Sequence, residues 1–354
     1  MGKYNTEFVI GMDVSKKSIE IYLLNTDTKE GKLESMVNDI KALSEYFDQF
    51  ENPKKTVIAL ECGVDSPWMN LLLEAKGFKV YIGNARKLRM IWQDNNKCDG
   101  RDAEMLARIA HFDPKLLSPI KHRELDQRLD LAIIKSRDVL VRTKTTIMNS
   151  VRGQLRSFGI KTSSLKPYNF SKCAYELLPE ELMEPLKGLV DQIACLDNEI
   201  RKYDKKISWL CEKYPETACL NQVHGVGPLI AITFVLIIGD PKRFSNGRKL
   251  SSYLGLVPKR AQSGSSDPQL GITRAGNSLL RRLLVQAANY NLGPFGKKSD
   301  LRNFGERISA RGGSIARKKG KVAVARKIAI LLLKLWETGD EYHLRHKITK
   351  NKAA

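Results

Sequence analysis

"EFVIGMDVSKKSIEIYLLN", residues 7–25, decides the fold of the first third of the chain. Phe8 to Val14 is a β-rich run that ends in a turn at "SKK", and Ser18 to Asn25 alternates apolar with polar residues. Two strands joined by so short a turn run antiparallel. "KLESMVN" from Lys32 offers a third extended segment. Working outward, Asn38 or Asp39 can cap a helix in "DIKALSEYFDQF", with Ile40, Leu43 and Phe47 on one side. "KTVIALECG" from Lys55 reads as a buried strand. Ser66 and Pro67 open a helix through "WMNLLLEAKG", Gly77 stops it, and "FKVYIGN" is the next strand. "ARKLRMIW" and "DAEMLARIA" are helical in pattern. An antiparallel start followed by α/β alternation predicts a mixed sheet with helices on its faces.

That order gives meaning to four acids. Asp13 ends the first strand and Glu61 ends the strand after the first helix, so neighbouring strands would put both at one sheet end. Asp99 and Asp102, in "KCDGRDAEML", are three residues apart and share one helical face. Their repulsion costs the helix unless a cation, a partner or solvent offsets it. An acid-rich, solvated helix start is one reading of that pair, and a divalent metal is the other. The joint placement of all four favours the metal, with Mg²⁺ (or Mn²⁺) activating a water or hydroxyl and stabilising charge on a phosphodiester.

Composition points to the same substrate class. Among 354 residues Lys+Arg outnumber Asp+Glu by 60 to 39, and the formal net charge of +21 repels itself unless a polyanion is the usual partner. An anionic membrane is the rival, but the longest apolar run, "IAILLLKLW" from Ile328, is broken by Lys334 and is far short of a span. The amino terminus lacks a signal-peptide core, so a cytoplasmic protein is expected. Six cysteines form no CxxC pair and no His/Cys ligand cluster, which argues against zinc and disulfides.

From about His122 the β pattern ends. Leu129, Ile133, Leu140, Ile147, Val151 and Leu155 mark one long amphipathic helix whose other face is basic. A second helix places Ile193, Leu196, Ile200, Tyr203, Ile207, Leu210 and Tyr214 at alternating steps of three and four. This heptad spacing fits a coiled coil within the chain or between protomers, and equally a core hairpin of the two helices. Further on, Gly225 and Gly227 form a tight turn ahead of the apolar helix in "PLIAITFVLII", similar to a helix-hairpin-helix entry whose amides can hold a phosphate. A Gly/Ser/Pro-rich loop runs from Lys259 to Asn277, followed by a helix bearing Arg281 and Arg282. The last helix, "VAVARKIAILLLKLW", has a basic flank that lies on nucleic acid or in water.

The phrases "GMDVSKKSIEIYLL", "ALECGVDSPW" and "KCDGRDAEMLARIA", with "HGVGPLIAITFVLIIGD" and "YLGLVPKRAQSG" behind them, resemble the DEDD transposases of bacterial insertion sequences. This is insertion-sequence family one-ten, to which the Piv-type DNA invertase also belongs, and the likeness covers nearly the whole chain. It implies an α/β RNase H-like (RuvC-like) domain with a mixed sheet over residues 1–158, including the trailing long helix. A helical coiled-coil segment over 159–214, a mostly α carboxy-terminal transposase domain over 215–345 and a basic tail over 346–354 follow. By position Asp13, Glu61, Asp99 and Asp102 match the family's metal-site acids. Ser263, in "AQSG", matches a serine nucleophile that links covalently to DNA. Relatives often carry two serines before that glycine, where this chain has Gln262 and Ser263, so Ser265 and Ser266 stay candidates. Lys259, Arg260 and Arg274, with Arg281 and Arg282, are the candidate nucleic-acid contacts.

The implied function is a transposase acting as a site-specific recombinase on donor and target double-stranded DNA, guided by a structured noncoding RNA. Two duplexes must be held and exchanged, so a homo-oligomer, dimer or tetramer, is expected, in the bacterial cytoplasm at the nucleoid. Two alternatives use the same features: a RuvC-like junction-resolving nuclease with water as nucleophile, and a non-catalytic nucleic-acid-binding scaffold.

Overall fold

The structure, a computed structural model, describes residues 7–88, 99–260 and 270–344. The chain divides into two compact units, Met1–His122 and Arg123–Ala354.

The first unit is built on a five-stranded sheet. Strands β1 (Phe8–Val14), β2 (Ser18–Asn25) and β3 (Gly31–Val37) are followed by helix α1 (Ile40–Asp48), β4 (Thr56–Glu61), α2 (Ser66–Ala75) and β5 (Lys79–Gly83). A short helix α3 (Ala85–Leu88) and α4 (Asp99–Phe112) complete it. The spatial order is β3-β2-β1-β4-β5. The turns after β1 and β2 are short, so these strands pair antiparallel, with Met12 opposite Ile21 and Asp13 opposite Glu20. Crossovers through α1 and α2 bring β4 and β5 back parallel, with Met12 opposite Leu60 and Glu61 opposite Gly83. Asp39 makes the α1 cap, accepting from the Lys41 and Ala42 amides, while Asn38 Nδ2 donates to the Ser15 carbonyl.

Side-chain alternation sorts the sheet into two apolar faces. Ile10, Met12, Ile19, Ile21, Ile58 and Leu60 pack with Leu43 and Phe47 of α1 and Met69 and Leu73 of α2. Val9, Tyr22, Leu24, Val57 and Ala59 pack with Ala103, Leu106, Ala107 and Ala110 of α4. Gly11 lies on this second face, and a Cβ on it would stand 1.9 Å from the Ala103 carbonyl oxygen and 2.6 Å from the Ala107 nitrogen. The helix backbone therefore rests directly on the strand.

The second unit is helical: α5 (Leu125–Ser157), α6 (Phe170–Leu177), α7 (Glu180–Lys213), α8 (Thr217–Asn221), α9 (Pro228–Ile238), α10 (Gly247–Tyr253), α11 (Ser278–Leu292), α12 (Asp300–Ser309) and α13 (Gly313–Thr338). Thus the long helix, expected to trail the first domain, lies in the second unit. It packs along α7 as an antiparallel hairpin. Met148, Val151 and Leu155 meet Leu186, Val190 and Ile193 at one end, and Leu131 and Ile134 join Ile207 and Leu210 in the cluster at the other. Between those ends the pairs Arg137–Asp204 and Lys144–Asp197 bridge the helices, and Leu196, Ile200 and Tyr203 of the heptad stripe are only half-buried. Helix α9 is apolar all round because it is the centre of the core, with every residue from Ile230 to Ile238 buried. Its last carbonyls are satisfied by arginines: Arg123 donates to Leu236 and Ile237, and Arg243 to Ile238, each at 2.6 Å. Among the described residues no helix is long and apolar enough to cross a membrane.

Substituting Gly11 puts a methyl group inside helix backbone, which no rotamer change relieves. Gly11→Ala is expected to cost at least about 1–3 kcal/mol, as overpacked cores do, and Gly11→Val more. Thermal melts of the two variants beside the parent check this order.

Candidate active site

Alternation along β1 places Asp13 on the same face as Gly11, the face that carries α4. Because β4 is parallel to β1 with Met12 opposite Leu60, Glu61 comes level with Asp13 at the carboxyl end of the sheet. Ala103 and Ala107 sit on Gly11, and the helical turn preceding them carries Asp99 and Asp102. The result is visible in the charge on Asp13. Its carboxyl is pushed up from the ordinary 3.8 to about 6, first by burial and then by the charges of Asp102, Asp99 and Glu61 in that order. The four acids named from the sequence are therefore near enough for Asp13 to feel the charge of the other three.

Position at a helix start accounts for Asp99 and Asp102 taken alone, since the first-turn amides favour negative charge. It does not account for their pressure on Asp13. Asp99 is exposed while Asp13, Glu61 and Asp102 are half-buried, so the cluster opens to solvent on the helix side. Among the described residues no three His, Cys, Asp or Glu side chains close into a metal cage. The acids sense one another's charge without that closure. An all-oxygen donor set with unrelieved repulsion has the chemistry that a hard divalent cation, Mg²⁺ or Mn²⁺, neutralises.

The second candidate region lies in the helical unit. Ser263, Ser265 and Ser266 fall outside the described residues, but the base of their loop is described. Pro258 and Ile272 form an antiparallel bridge, with the Lys259 amide donating to Gly271 (2.8 Å) and the Thr273 amide to Val257 (2.9 Å). Gly276 turns at φ +69°, where a Cβ would lie 1.9 Å from the Tyr253 carbonyl. Arg274 holds a left-handed backbone, φ +53°, uncommon for a residue with a side chain. Lys259, Arg260 and Arg274 are exposed around this base. Arg281 and Arg282 stand differently: Arg281 Nη1 donates to the carbonyls of Leu254 (3.0 Å) and Ala275 (2.6 Å), and Arg282 pairs with Asp138 at 2.7 Å.

Two positioning roles were missed from the sequence: that of Gly11, and that of Arg281, which was named there only as a nucleic-acid contact. Gly11 left a signal, a glycine in the interior of a strand, which marks a close backbone approach. Arg281 left none, because its carbonyl partners lie in segments that only the fold brings near.

The sign of the Asp13 shift sets a pH dependence. Between the ordinary 3.8 and about 6 the folded protein holds a proton that the unfolded chain releases, so this group's contribution to stability falls as pH rises through that window. Above it the full penalty is present in metal-free protein. Asp13→Asn removes the charge and is expected to melt higher than the parent in chelator near neutral pH, with the difference closing near about pH 4. Added Mg²⁺ should raise the parent's melting temperature and leave Asp13→Asn nearly unmoved. Melts in chelator and in Mg²⁺ at the two pH values check both statements.

Comparison with known proteins bears on the whole chain. Residues 10–160 match a DEDD transposase profile of the IS110 type, and residues 217–299 match the transposase IS116/IS110/IS902 family. A Sinorhizobium fredii protein carrying the transposase name y4pF/y4sB is 30% identical over 363 residues, covering 96% of this chain and 87% of that one. The transposase for insertion sequence element IS1111A of Coxiella burnetii is 26% identical over 308 residues, 84% of this chain and 81% of its own. The pilin gene-inverting protein of Moraxella lacunata is 29% identical over 143 residues, 39% of this chain and 43% of its own. With both profiles in order along the chain and a relative matched over nearly its full length, this protein belongs to the IS116/IS110/IS902 family of insertion-sequence transposases.

Proposed function

We propose that this transposase is a site-specific DNA recombinase that cuts and exchanges strands through a covalent serine–DNA intermediate. The observation that carries the reading is the coupling of Asp13 to Asp102, Asp99 and Glu61 at the sheet end. Asp13, Glu61, Asp99 and Asp102 would hold Mg²⁺ or Mn²⁺, which when bound supplies charge stabilisation to a phosphodiester under attack. The Ser263 hydroxyl attacks phosphorus and gives its proton to solvent, a phosphoserine ester forms, and the bond from phosphorus to the departing DNA oxygen breaks, that oxygen taking up a proton from solvent to leave as a hydroxyl. A DNA hydroxyl later attacks the same phosphorus, restores the serine and rejoins the strand, so no phosphodiester is lost to water. Lys259, Arg260 and Arg274 steady the phosphate beside the serine, with Arg282 further along. Arg281 serves the nucleic-acid contact by bracing the loop base.

Donor and target DNA are the substrates, and a structured noncoding RNA selects them by base pairing, delegating sequence reading as guided enzymes do. The basic face of α5 and the carboxy-terminal run offer surface for these polyanions. Holding two duplexes calls for a dimer or tetramer, and the half-buried stretch Leu196, Ile200 and Tyr203 of the heptad stripe is the contact this reading assigns to it.

Trapping protein on DNA under denaturing conditions tests the mechanism. The parent should give an adduct that needs divalent metal. Ser263→Ala should give none while keeping metal and DNA binding, and Asp13→Ala, Glu61→Ala and Asp102→Ala should lose cleavage altogether. An adduct that moves to Ser265 or Ser266 shifts the register by a few residues. Metal-dependent cleavage without any adduct would replace the serine with water and favour the junction-resolving nuclease. DNA affinity should fall steeply as salt rises, because phosphate contacts release counterions. A flat response would count against the basic surface.

A further inference from the structure

The turn before α9 and the loop after α11 take no part in the reading above, yet together they form a built surface. Helix α11 ends at Leu292, and the loop that follows presents Phe295, 75% exposed. The loop is tightly held. Arg302 Nη1 donates to the carbonyls of Gly293 and Gly296, each at 2.8 Å, and reaches Asn291 at 3.4 Å. Its Nε is held by Glu306 at 2.7 Å, one helical turn on. Gly296 packs so closely that a Cβ there would lie 1.9 Å from the Asn291 carbonyl oxygen. Asn291, 1% exposed, also bolts the loop to the turn before α9 by donating Nδ2 to the His224 carbonyl at 2.7 Å. Gly225, at φ +83°, completes that turn.

Three rings line up on this frame. The His224 and Tyr290 centroids are 5.1 Å apart, and Tyr290 and Phe295 lie near-parallel, 23° between planes, at 6.5 Å. Tyr290 is itself 46% exposed, and Lys297 and Lys298, both exposed, follow Phe295 in the loop. A phenylalanine open to water forgoes its burial energy, and a mobile loop would let it fold back. Here a guanidinium, a carboxylate and three carbonyls hold it out.

Flat apolar faces beside ammonium groups, on a chain of net charge +21, match a base with its phosphate. Duplex bases are already stacked on their neighbours, so the fit is to unpaired ones. We infer that His224, Tyr290, Phe295 and Lys297 form a stacking site for an unpaired nucleotide of a single-stranded nucleic-acid segment. The inference rests on the nucleic-acid part of the proposed function and on neither the metal nor the serine.

The test is fluorescence anisotropy of the full-length protein on labelled oligothymidylate, on oligouridylate, and on a duplex of equal length. Phe295→Ala should bind the single strands about tenfold more weakly, within the range of one lost base–aromatic stack, and bind the duplex as the parent does. Phe295→Trp should restore single-strand binding, its emission quenched by the oligonucleotide. The strand that loses more affinity in Phe295→Ala, ribose or deoxyribose, is the one the site holds. Unchanged single-strand affinity in Phe295→Ala overturns the inference, and so does an equal loss on the duplex. If the parent itself binds no nucleic acid the proposed function falls with it, whereas a parent that binds beside an unaffected Phe295→Ala leaves that function standing.

Discussion

The contact of α4 with Gly11 is the constraint on which the candidate active site depends. Helix and sheet ordinarily meet through interdigitated side chains, but here helix backbone lies on strand backbone, with Ala103 and Ala107 at the point of approach. Small residues on both sides are required, and once they are present the helix has little freedom to slide or roll. Two carboxylates at the start of a 14-residue helix are thereby referred to two others at the ends of parallel strands. Had the helix stood off by the width of one side chain, the same four acids would be independent surface charges.

That arrangement opposes stability. Asp13 is forced well above the usual carboxylate range by burial and by three neighbours of like sign, in a chain that otherwise carries an excess of positive charge. The apolar packing on both sheet faces has to outweigh this repulsion. Such a balance is typical of sites whose charge is completed by a cation, where strain in the free protein becomes affinity for the ligand.

In the helical unit, irregular loops and a helix end are held by arginines bonding to backbone carbonyls, three of them half-buried and Arg243 exposed. Arg281 braces the base of the serine-bearing loop, Arg302 the loop carrying Phe295, and Arg123 with Arg243 the end of the buried helix α9. A guanidinium has five donors in a fixed plane, so one side chain ties several turns of chain that lack regular hydrogen bonding. Part of the large arginine content therefore serves the protein's own backbone, and the count of cations overstates the charge free to meet nucleic acid.

Much of the first unit was legible in the sequence. The alternation of Ile19, Ile21 and Leu23 against Glu20 and Tyr22, the Asp39 cap and the Pro67 helix start are local patterns, set by neighbours within a few residues. The mixed character of the sheet was legible too, and the sequence allowed the strands of Asp13 and Glu61 to be neighbours, but the order that seats β4 beside β1 came from the tertiary pairing. The heptad stripe was legible as a helix, but its partner was not, because the same spacing serves an interchain coil and the intrachain hairpin found here along α5. Ownership of that long helix by the second unit was equally hidden, since periodicity does not say which core a helix joins. What only tertiary structure decided is which backbones touch and which carbonyls a long side chain reaches. Gly11 under Ala103, Arg281 on Leu254, and Tyr290 beside His224 all depend on residues remote in sequence, where local propensity carries no information and close packing decides.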